Sequence, residues 1–258
     1  MQPSPERPDV TYLALADELE AALQRLSPGS RLPSENALAA EYSVSRITAR
    51  SALRELEQRL LVRRTRGSGT FVALRLPYVL RAGESPSWSR LVADAGFEPS
   101  YEYLEIETYR SPAAVAHRLE IPRGRTVTQV VRRGFVDGEV AMTQTHWFPV
   151  DLVPDLDSHL RNDAALSTTL LNTYGASSER RWCRADLSPA PADVASLLEL
   201  VGRPPTWRIE SVNETEDADR ILEYSVGWMR ADCFQVTLEL GQTAEPTTPN
   251  LTVVEGPT

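Results

Sequence analysis

The sequence predicts two domains, a small helical one that ends in a short β-hairpin and a larger α+β domain built on an antiparallel sheet. The chain has 258 residues, more than the ~100 to 200 residues typical of one domain. Residues 1–75 carry 11 arginines and 9 acidic residues, whereas the remainder carries 16 and 27, so the net charge changes from +2 to −11. The acidic part also contains one helix-and-hairpin pattern twice. The change in net charge and the repeat confined to the acidic part indicate that the two parts are separate domains.

The composition excludes several classes of protein. Hydrophobic residues make up 41% and charged residues 24%, as in soluble globular proteins. No apolar run approaches the ~18 residues of a membrane span, and residues 1–7 lack a signal-peptide pattern, so we expect a cytoplasmic protein. Cys183 and Cys233 form no Cys-x-x-Cys motif and the three histidines are scattered, so we expect no disulfide framework, metal site or cofactor.

Three helices are predicted in the basic part. Apolar residues recur at helical spacing over residues 12–26, which predicts a first amphipathic helix. Ser34 is a good N-cap for a second, short helix that reaches residue 42, and Ser45 caps a third that runs to residue 56. The third helix carries an apolar stripe flanked by arginines, so one side packs and the other is cationic.

The second and third helices, joined by a three-residue turn, match the helix-turn-helix layout, in which the start of the later helix reaches base edges. Residues 61–72 read as two strands around an Arg-Gly-Ser-Gly tip, which suits a minor groove because glycine permits close approach. An isolated arginine run is usually a solvated face. Here the run coincides with both features, which predicts nucleic-acid binding.

Several motifs in this part resemble the winged helix-turn-helix of GntR-type transcription regulators. They are Leu32-Pro33-Ser34-Glu35, Val44-Ser45-Arg46, Thr48-Ala49-Arg50 and Gly67-Ser68-Gly69-Thr70-Phe71-Val72. The resemblance implies contacts with double-stranded DNA from Arg31, Asn36, Ser45, Arg46, Thr48 and Arg50, and from the tip residues Arg66, Gly67, Ser68 and Gly69. Ser43 and Arg59 stand where that family usually has glycine at helix ends, where a left-handed residue costs about 1 kcal/mol.

The acidic part repeats with an offset of 79 residues. A helical stretch at residues 111–120 is echoed at residues 190–199. Each leads into two β-rich runs, at residues 126–136 and 139–148 and at residues 206–215 and 221–229. Asp137-Gly138 between alternating hydrophobic residues is a strong hairpin signal. Two helix-and-hairpin units predict one antiparallel sheet with helices packed on it, preceded by a helix at residues 85–95.

This part resembles the UTRA ligand-sensing domain of HutC-type GntR regulators, which is similar to the chorismate lyase fold. The resemblance rests on Arg132-Arg133, Trp147-Phe148-Pro149, Glu223-Tyr224-Ser225 and Arg230-Ala231-Asp232. It implies an effector pocket formed by Ser87, Ser89, Arg132, Gln144, Ser167 and Glu223. An arginine fork with hydroxyl groups suits a phosphate or a carboxylate.

The implied effector is a small anion rather than a particular sugar phosphate. Gly134 stands where sugar-phosphate-sensing relatives have a second arginine, and Val212-Asn213 with Glu223-Tyr224-Ser225 is similar to the phosphonate-utilisation branch. For Arg132 the alternative is a surface cation paired with an acid. For Trp147 and Trp228 core packing is favoured over ligand stacking.

The resemblance implies a homodimeric repressor that an effector releases from its operator. The expected organisation is a flexible N-terminus (1–9), a DNA-binding domain (10–75), a linker (76–84), an effector-binding and dimerisation domain (85–240) and a disordered tail (241–258). Two alternatives stay open, a regulator whose second domain senses nothing and a chorismate-lyase-like enzyme. Fold alone supports the enzyme, and the sequence shows no nucleophile with a base, P-loop or Rossmann glycine pattern.

Overall fold

The computed structural model describes residues 11–65, 67–81, 87–160, 165–215 and 220–239, and these form the two predicted domains. The first domain contains α1 (Tyr12–Leu23), α2 (Glu35–Glu41), α3 (Arg46–Gln58), β1 (Val62–Thr65) and β2 (Gly69–Val72). Strands β1 and β2 form an antiparallel hairpin. The predicted winged helix-turn-helix is confirmed, although α1 ends three residues earlier than its apolar pattern suggested.

Side-chain caps set the starts of the three helices. Thr11, Ser34 and Ser45 each have extended backbone and accept a hydrogen bond from the amide three residues later, at 3.2, 3.2 and 3.0 Å. Such caps satisfy amides that have no partner inside the helix. Leu15 and Leu53 are among the apolar residues that are fully buried between the helices. Capping and one shared core therefore define this domain.

The left-handed residues at the helix ends fall at Ser43, as predicted, and at Leu60 rather than Arg59. Leu60 has a φ of 58°, while Arg59 keeps a helical φ of −74°. The amide of Leu61 donates to the carbonyl of Leu56 at 3.0 Å, which closes the turn one residue later than expected. Arg59 remains helical and its guanidinium contacts Asp17 on α1 at 2.7 Å.

The second domain is larger and rests on a six-stranded antiparallel sheet of order β4-β5-β6-β9-β8-β7. Its elements are β3 (Leu76–Arg81), α4 (Trp88–Asp94), β4 (Pro99–Arg110), α5 (Ala113–Arg118), β5 (Thr126–Val136), β6 (Glu139–Pro149), α6 (Leu156–Leu160), α7 (Leu166–Tyr174), β7 (Ser178–Pro189), α8 (Ala192–Leu197), β8 (Pro205–Thr215), β9 (Ile221–Arg230) and β10 (Phe234–Glu239). The predicted α+β architecture is confirmed.

The internal repeat is longer than the sequence indicated. Strands β4 and β7, which the sequence analysis did not predict, precede α5 and α8, so each unit is strand, helix and hairpin. β7, α8 and β8 begin and end 79 residues after β4, α5 and β5. The two units meet at β6 and β9 in the middle of the sheet. At the first hairpin, Asp137 and Gly138 both have positive φ, 49° and 78°, as a type I′ turn requires.

The predicted linker at residues 76–84 is wrong for its first six residues. Residues 76–81 form β3, which pairs in parallel with β10, and Leu76 and Leu80 are buried. β3 contains Pro77, which a two-stranded sheet tolerates because both of its strands are edges. The segment therefore belongs to the second domain. The predicted N-terminus, residues 82–86, the second turn at 217–219 and the predicted tail lie outside the described residues.

Candidate functional site

The start of α3 forms an exposed surface that carries polar and cationic side chains. The Arg46 side chain is 61% exposed, and Asn36 and Ser45 are also exposed. The hydroxyl groups of Ser45 and Thr48 form a hydrogen bond of 2.8 Å between their oxygen atoms. Ile47 is 76% exposed, although it is apolar. An exposed isoleucine beside arginines fits contact with a thymine methyl group, a feature that the sequence analysis missed.

Glu35 organises the arginines of this surface. Its carboxylate lies 3.4 Å from Arg46 Nε and 3.0 Å from Arg50 Nη2, and Arg64 of the hairpin is 3.9 Å away. The hydrogen bonds from Arg50 lower the pKa of the Glu35 carboxyl, so it stays ionised. An ion pair of this kind holds long side chains in one geometry.

The hairpin tip lies next to the same face. Gly67, Ser68 and Gly69 are exposed. Gly69 has a φ of 124°, and a Cβ atom there would be 3.2 Å from Arg31 Nε. Arg31 and the tip glycines line one groove together with Glu35. The structure thus brings these predicted DNA-contacting residues together, while Arg66 lies outside the described residues.

The second domain contains a cavity of about 240 Å³ above one face of the sheet. Helices α4 and α7 and strand β3 contribute to its walls. All six residues predicted for the effector pocket line it, namely Ser87, Ser89, Arg132, Gln144, Ser167 and Glu223. Further polar residues that the sequence did not indicate also line it, among them Tyr78, His146, Arg180 and Asn213. These four come from four different strands, so no local pattern could have grouped them.

Arg132 lies at the centre of a hydrogen-bond network inside the cavity. Its Nε donates to His146 Nε2 at 3.0 Å and its Nη2 donates to Gln144 Oε1 at 3.1 Å. Removal from water lowers its pKa, but a guanidinium remains charged in a protein. Both partners are hydrogen-bond acceptors in the cavity wall. Arg132 is therefore a buried cavity residue and not a surface cation paired with an exposed acid.

Glu223 supplies a buried negative charge to the same network. His146 Nδ1 contacts one carboxylate oxygen of Glu223, and Asn213 Nδ2 donates to the other at 2.7 Å. Burial on its own would raise the pKa of Glu223, but His146, Asn213 and Arg132 together lower it. Burial lowers the pKa of His146. The cavity therefore holds a carboxylate and a neutral imidazole.

Arg180 on β7 adds a second cation to the cavity wall. It is buried, with 9% of its surface exposed, and lies opposite Asn213 in the register of β7 and β8. Tyr78 from β3 reaches the Arg180 guanidinium, and burial raises the pKa of that phenol. With Arg132 and Arg180 against Glu223, these three side chains give the cavity a net positive charge.

Trp88 closes the cavity beside Gly134. A Cβ atom on Gly134 would lie 2.7 Å from a ring carbon of Trp88 and 2.9 Å from Met142 Cγ. The position therefore has no space for the second arginine of sugar-phosphate-sensing relatives. Trp147 does not line the cavity; it stacks on Tyr224 with ring centroids 5.1 Å apart, as a core residue does.

The described residues contain no group of three or more His, Cys, Asp or Glu placed to hold a metal ion. Among them there is also no helix of the length and apolarity needed to cross a membrane.

A helix-turn-helix with exposed arginines, joined to a domain with a cationic cavity, defines a DNA-binding protein with a small-molecule pocket. The model of the gntR family of bacterial regulatory proteins matches residues 11–72, and the UTRA domain model matches residues 94–235. The chain belongs to the GntR family and carries a UTRA domain, so it is a DNA-binding transcription regulator.

Relatives with the same organisation cover most of the chain. The HTH-type transcriptional regulator GgaR of Escherichia coli K12 is 27% identical over 233 residues, which are 88% of this chain and 90% of GgaR. The probable transcriptional regulator PhnF of the same strain is 28% identical over 230 residues, 88% of this chain and 94% of PhnF. Both names are those of regulators, which confirms the prediction of a regulator over an enzyme.

A solved structure shows the same two-domain fold. The crystal structure of PhnF from Mycobacterium smegmatis matches with a TM-score of 0.62 at 24% identity and covers 88% of this chain and 99% of that one. At this identity the likeness establishes the fold.

Proposed function

We propose that the protein is a homodimeric repressor that acts in the cytoplasm and leaves a palindromic operator when a small anionic metabolite fills the cavity. The cavity itself carries this proposal. Arg132 and Arg180 face one carboxylate, Glu223, in a space of about 240 Å³. Buried charges require partners, and an unbalanced cation favours a phosphate, phosphonate or carboxylate ligand.

The operator follows from the shape of the DNA-binding domain. One helix-turn-helix reads a short half-site, and a two-fold dimer places two such helices about one helical turn, ~34 Å, apart. The proposed readers at the start of α3 are Arg46 and Arg50, with Ser45, Thr48 and Asn36 beside them. The Gly67–Gly69 tip and Arg31 would bind the backbone or the minor groove.

Contacts between the domains give effector binding a route to the DNA-binding domain. The β5–β6 hairpin carries Arg132 and Gln144 into the cavity, and Glu139 near its tip contacts Arg63 of β1. In addition, the amide of Leu74 donates to the carbonyl of Asp232 at 3.1 Å. An effector shifts the population of domain arrangements only if it binds them with different affinities.

The repressor assignment draws on a further relative. MngR of Escherichia coli K12, named as the mannosyl-D-glycerate transport/metabolism system repressor, is 30% identical over 148 residues, 56% of this chain and 61% of MngR. We expect the same sign of regulation here.

The experiment is a titration of labelled operator DNA with the protein, with and without a panel of phosphates, phosphonates and carboxylates. We expect at least one of these anions to weaken operator binding by about 5- to 150-fold, the range of a typical coupling free energy. Binding of an anion with unchanged operator affinity would contradict release. A protein that binds operator but none of the anions would be the regulator with a non-sensing domain.

A further inference from the structure

One end of the cavity contains buried hydrogen-bonding groups that have no partner. Arg180 is buried, yet its Nε and Nη1 make no hydrogen bond within the described residues. Arg132 differs, because His146 and Gln144 already accept from its Nε and Nη2. A buried donor without a hydrogen bond is destabilising, so Nε and Nη1 of Arg180 favour a ligand that supplies acceptors.

Asn213 presents a complementary acceptor beside Arg180. Its Nδ2 donates to Glu223 Oε2 at 2.7 Å. Because an ionised carboxylate only accepts, this bond fixes the orientation of the amide and directs Oδ1 away from Glu223. That oxygen is buried and has no partner among the residues that the structure describes. Arg180 and Asn213 are direct neighbours across β7 and β8.

The two arginines project into the cavity from strands that lie far apart in the sheet. Arg132 lies on β5 and Arg180 on β7, with β6, β9 and β8 between them. Both side chains nevertheless line the same space of about 240 Å³. An inorganic anion held by Arg132, Ser87 and Ser89 leaves the groups of Arg180 and Asn213 unused. An effector that satisfies both ends must have a polar group at each.

We propose that Arg180 and Asn213 form a second subsite, which binds an α-hydroxy or α-amino carboxylate at the end of the effector distant from Arg132. The carboxylate oxygens accept from Nε and Nη1 of Arg180, and the adjacent hydroxyl or amino group donates to Asn213 Oδ1. This inference rests on the proposed function and specifies its effector, which has a phosphate or phosphonate at one end and this group at the other.

Two commercially available probes test the subsite by calorimetry. 3-Phosphoglycerate carries a phosphate and an α-hydroxy carboxylate, whereas glycerol 3-phosphate has the same phosphate on three carbons and a hydroxymethyl group in place of the carboxylate. We expect the wild-type full-length chain to bind 3-phosphoglycerate at least tenfold more tightly. In Arg180→Met this ratio should fall to about one, because the group that binds the carboxylate is lost, whereas the loss of the cation's general attraction weakens the binding of both probes.

Arg181→Met is the matched control, since Arg181 is the next residue on β7 and pairs with Glu120 at 3.3 Å outside the cavity; it should keep the wild-type ratio. Equal wild-type affinities for the two probes would overturn the subsite and leave anion sensing intact. A folded Arg180→Met variant that still binds 3-phosphoglycerate tenfold more tightly than glycerol 3-phosphate would also overturn the subsite. A wild-type chain that binds neither probe nor any other anion of the panel would overturn the proposed function as well. If Arg180→Met does not fold, Arg180→Lys, which keeps the charge but lacks the fork of donors, should show the reduced ratio.

Discussion

Arg132 donates from Nε to His146 Nε2 at 3.0 Å, and this bond fixes the protonation of the imidazole. A guanidinium has no acceptor, so His146 Nε2 carries a lone pair and the ring proton is on Nδ1. That proton faces Glu223. Arginine, neutral histidine and carboxylate therefore form a directed chain of donors across the middle of the cavity.

The stability of the second domain is expected to decrease as the pH falls from 7.5 to 5.5. Burial lowers the pKa of His146, so the unfolded chain binds a proton near pH 6.5 while the folded chain does not. The free energy of unfolding should fall below that pH by up to about 1.4 kcal/mol per pH unit. The lowered pKa of Glu223 acts in the same direction, but only below its ordinary value of 4.5.

Denaturant unfolding followed by tryptophan fluorescence measures this effect in the right domain, because all five tryptophans lie in the second domain. His146→Gln should flatten the dependence between pH 7.5 and 5.5. An identical loss of stability in wild type and His146→Gln would assign the effect to another group.

Arg46→Ala and Arg50→Ala should each reduce discrimination between operator and random DNA. A bidentate contact with guanine contributes about 1 to 3 kcal/mol of specificity, which corresponds to a loss of roughly 5- to 150-fold. The measurement is the ratio of the two dissociation constants at fixed salt. Arg90→Ala is the control, since Arg90 is 84% exposed on α4 in the second domain. Unchanged operator affinity in both variants would exclude this face of α3.

Arg132→Ala should abolish the rise in melting temperature that an anionic effector produces in the wild type. Binding to the folded state alone stabilises it by about 2.7 kcal/mol at a ligand concentration of 100 Kd. Arg133→Ala is the matched control, because the adjacent side chain pairs with Glu102 at 2.7 Å and does not line the cavity. An equal rise in Arg132→Ala and wild type would remove Arg132 from the site.

Gly134→Ala should destabilise the second domain by about 1 to 3 kcal/mol, since an added methyl group in a packed core forces its neighbours to move. Its Cβ would approach Trp88 to 2.7 Å. Gly227→Ala on β9 is the comparison, where the nearest atom to an added Cβ is 3.5 Å away. Comparable unfolding midpoints for the two variants would show that the Trp88 ring moves aside without loss of stability.

The helices and the hairpin of the first domain could be predicted almost completely from sequence because their signals are local. Ser34 and Ser45 cap the helices that follow them, and a run of arginines lies on the helix that Ser45 begins. The pairing of Glu35 with Arg46 and Arg50 could not be predicted, because it depends on how α2 and α3 cross, which spacing along the chain does not reveal.

The cavity could be predicted only in part. The six predicted residues came from a family resemblance, whereas Arg180 and Asn213 are brought together by pairing between strands, of which β7 was not anticipated. The strands β4 and β7 have many exposed positions and lack the continuous apolar character that marks a buried strand. The strand at residues 76–81 could not be predicted for a different reason, because its partner β10 lies 158 residues later in the chain.

We propose that the protein is a dimeric, sequence-specific repressor. A binding selection from random DNA duplexes at about 150 mM salt tests it most directly, because weak phosphate contacts are suppressed under those conditions. We predict enrichment of a two-fold symmetric motif whose half-sites lie about one helical turn apart. Absence of any enriched motif with folded, ligand-free protein would contradict the claim, and enrichment of a single unrepeated half-site would contradict the dimer.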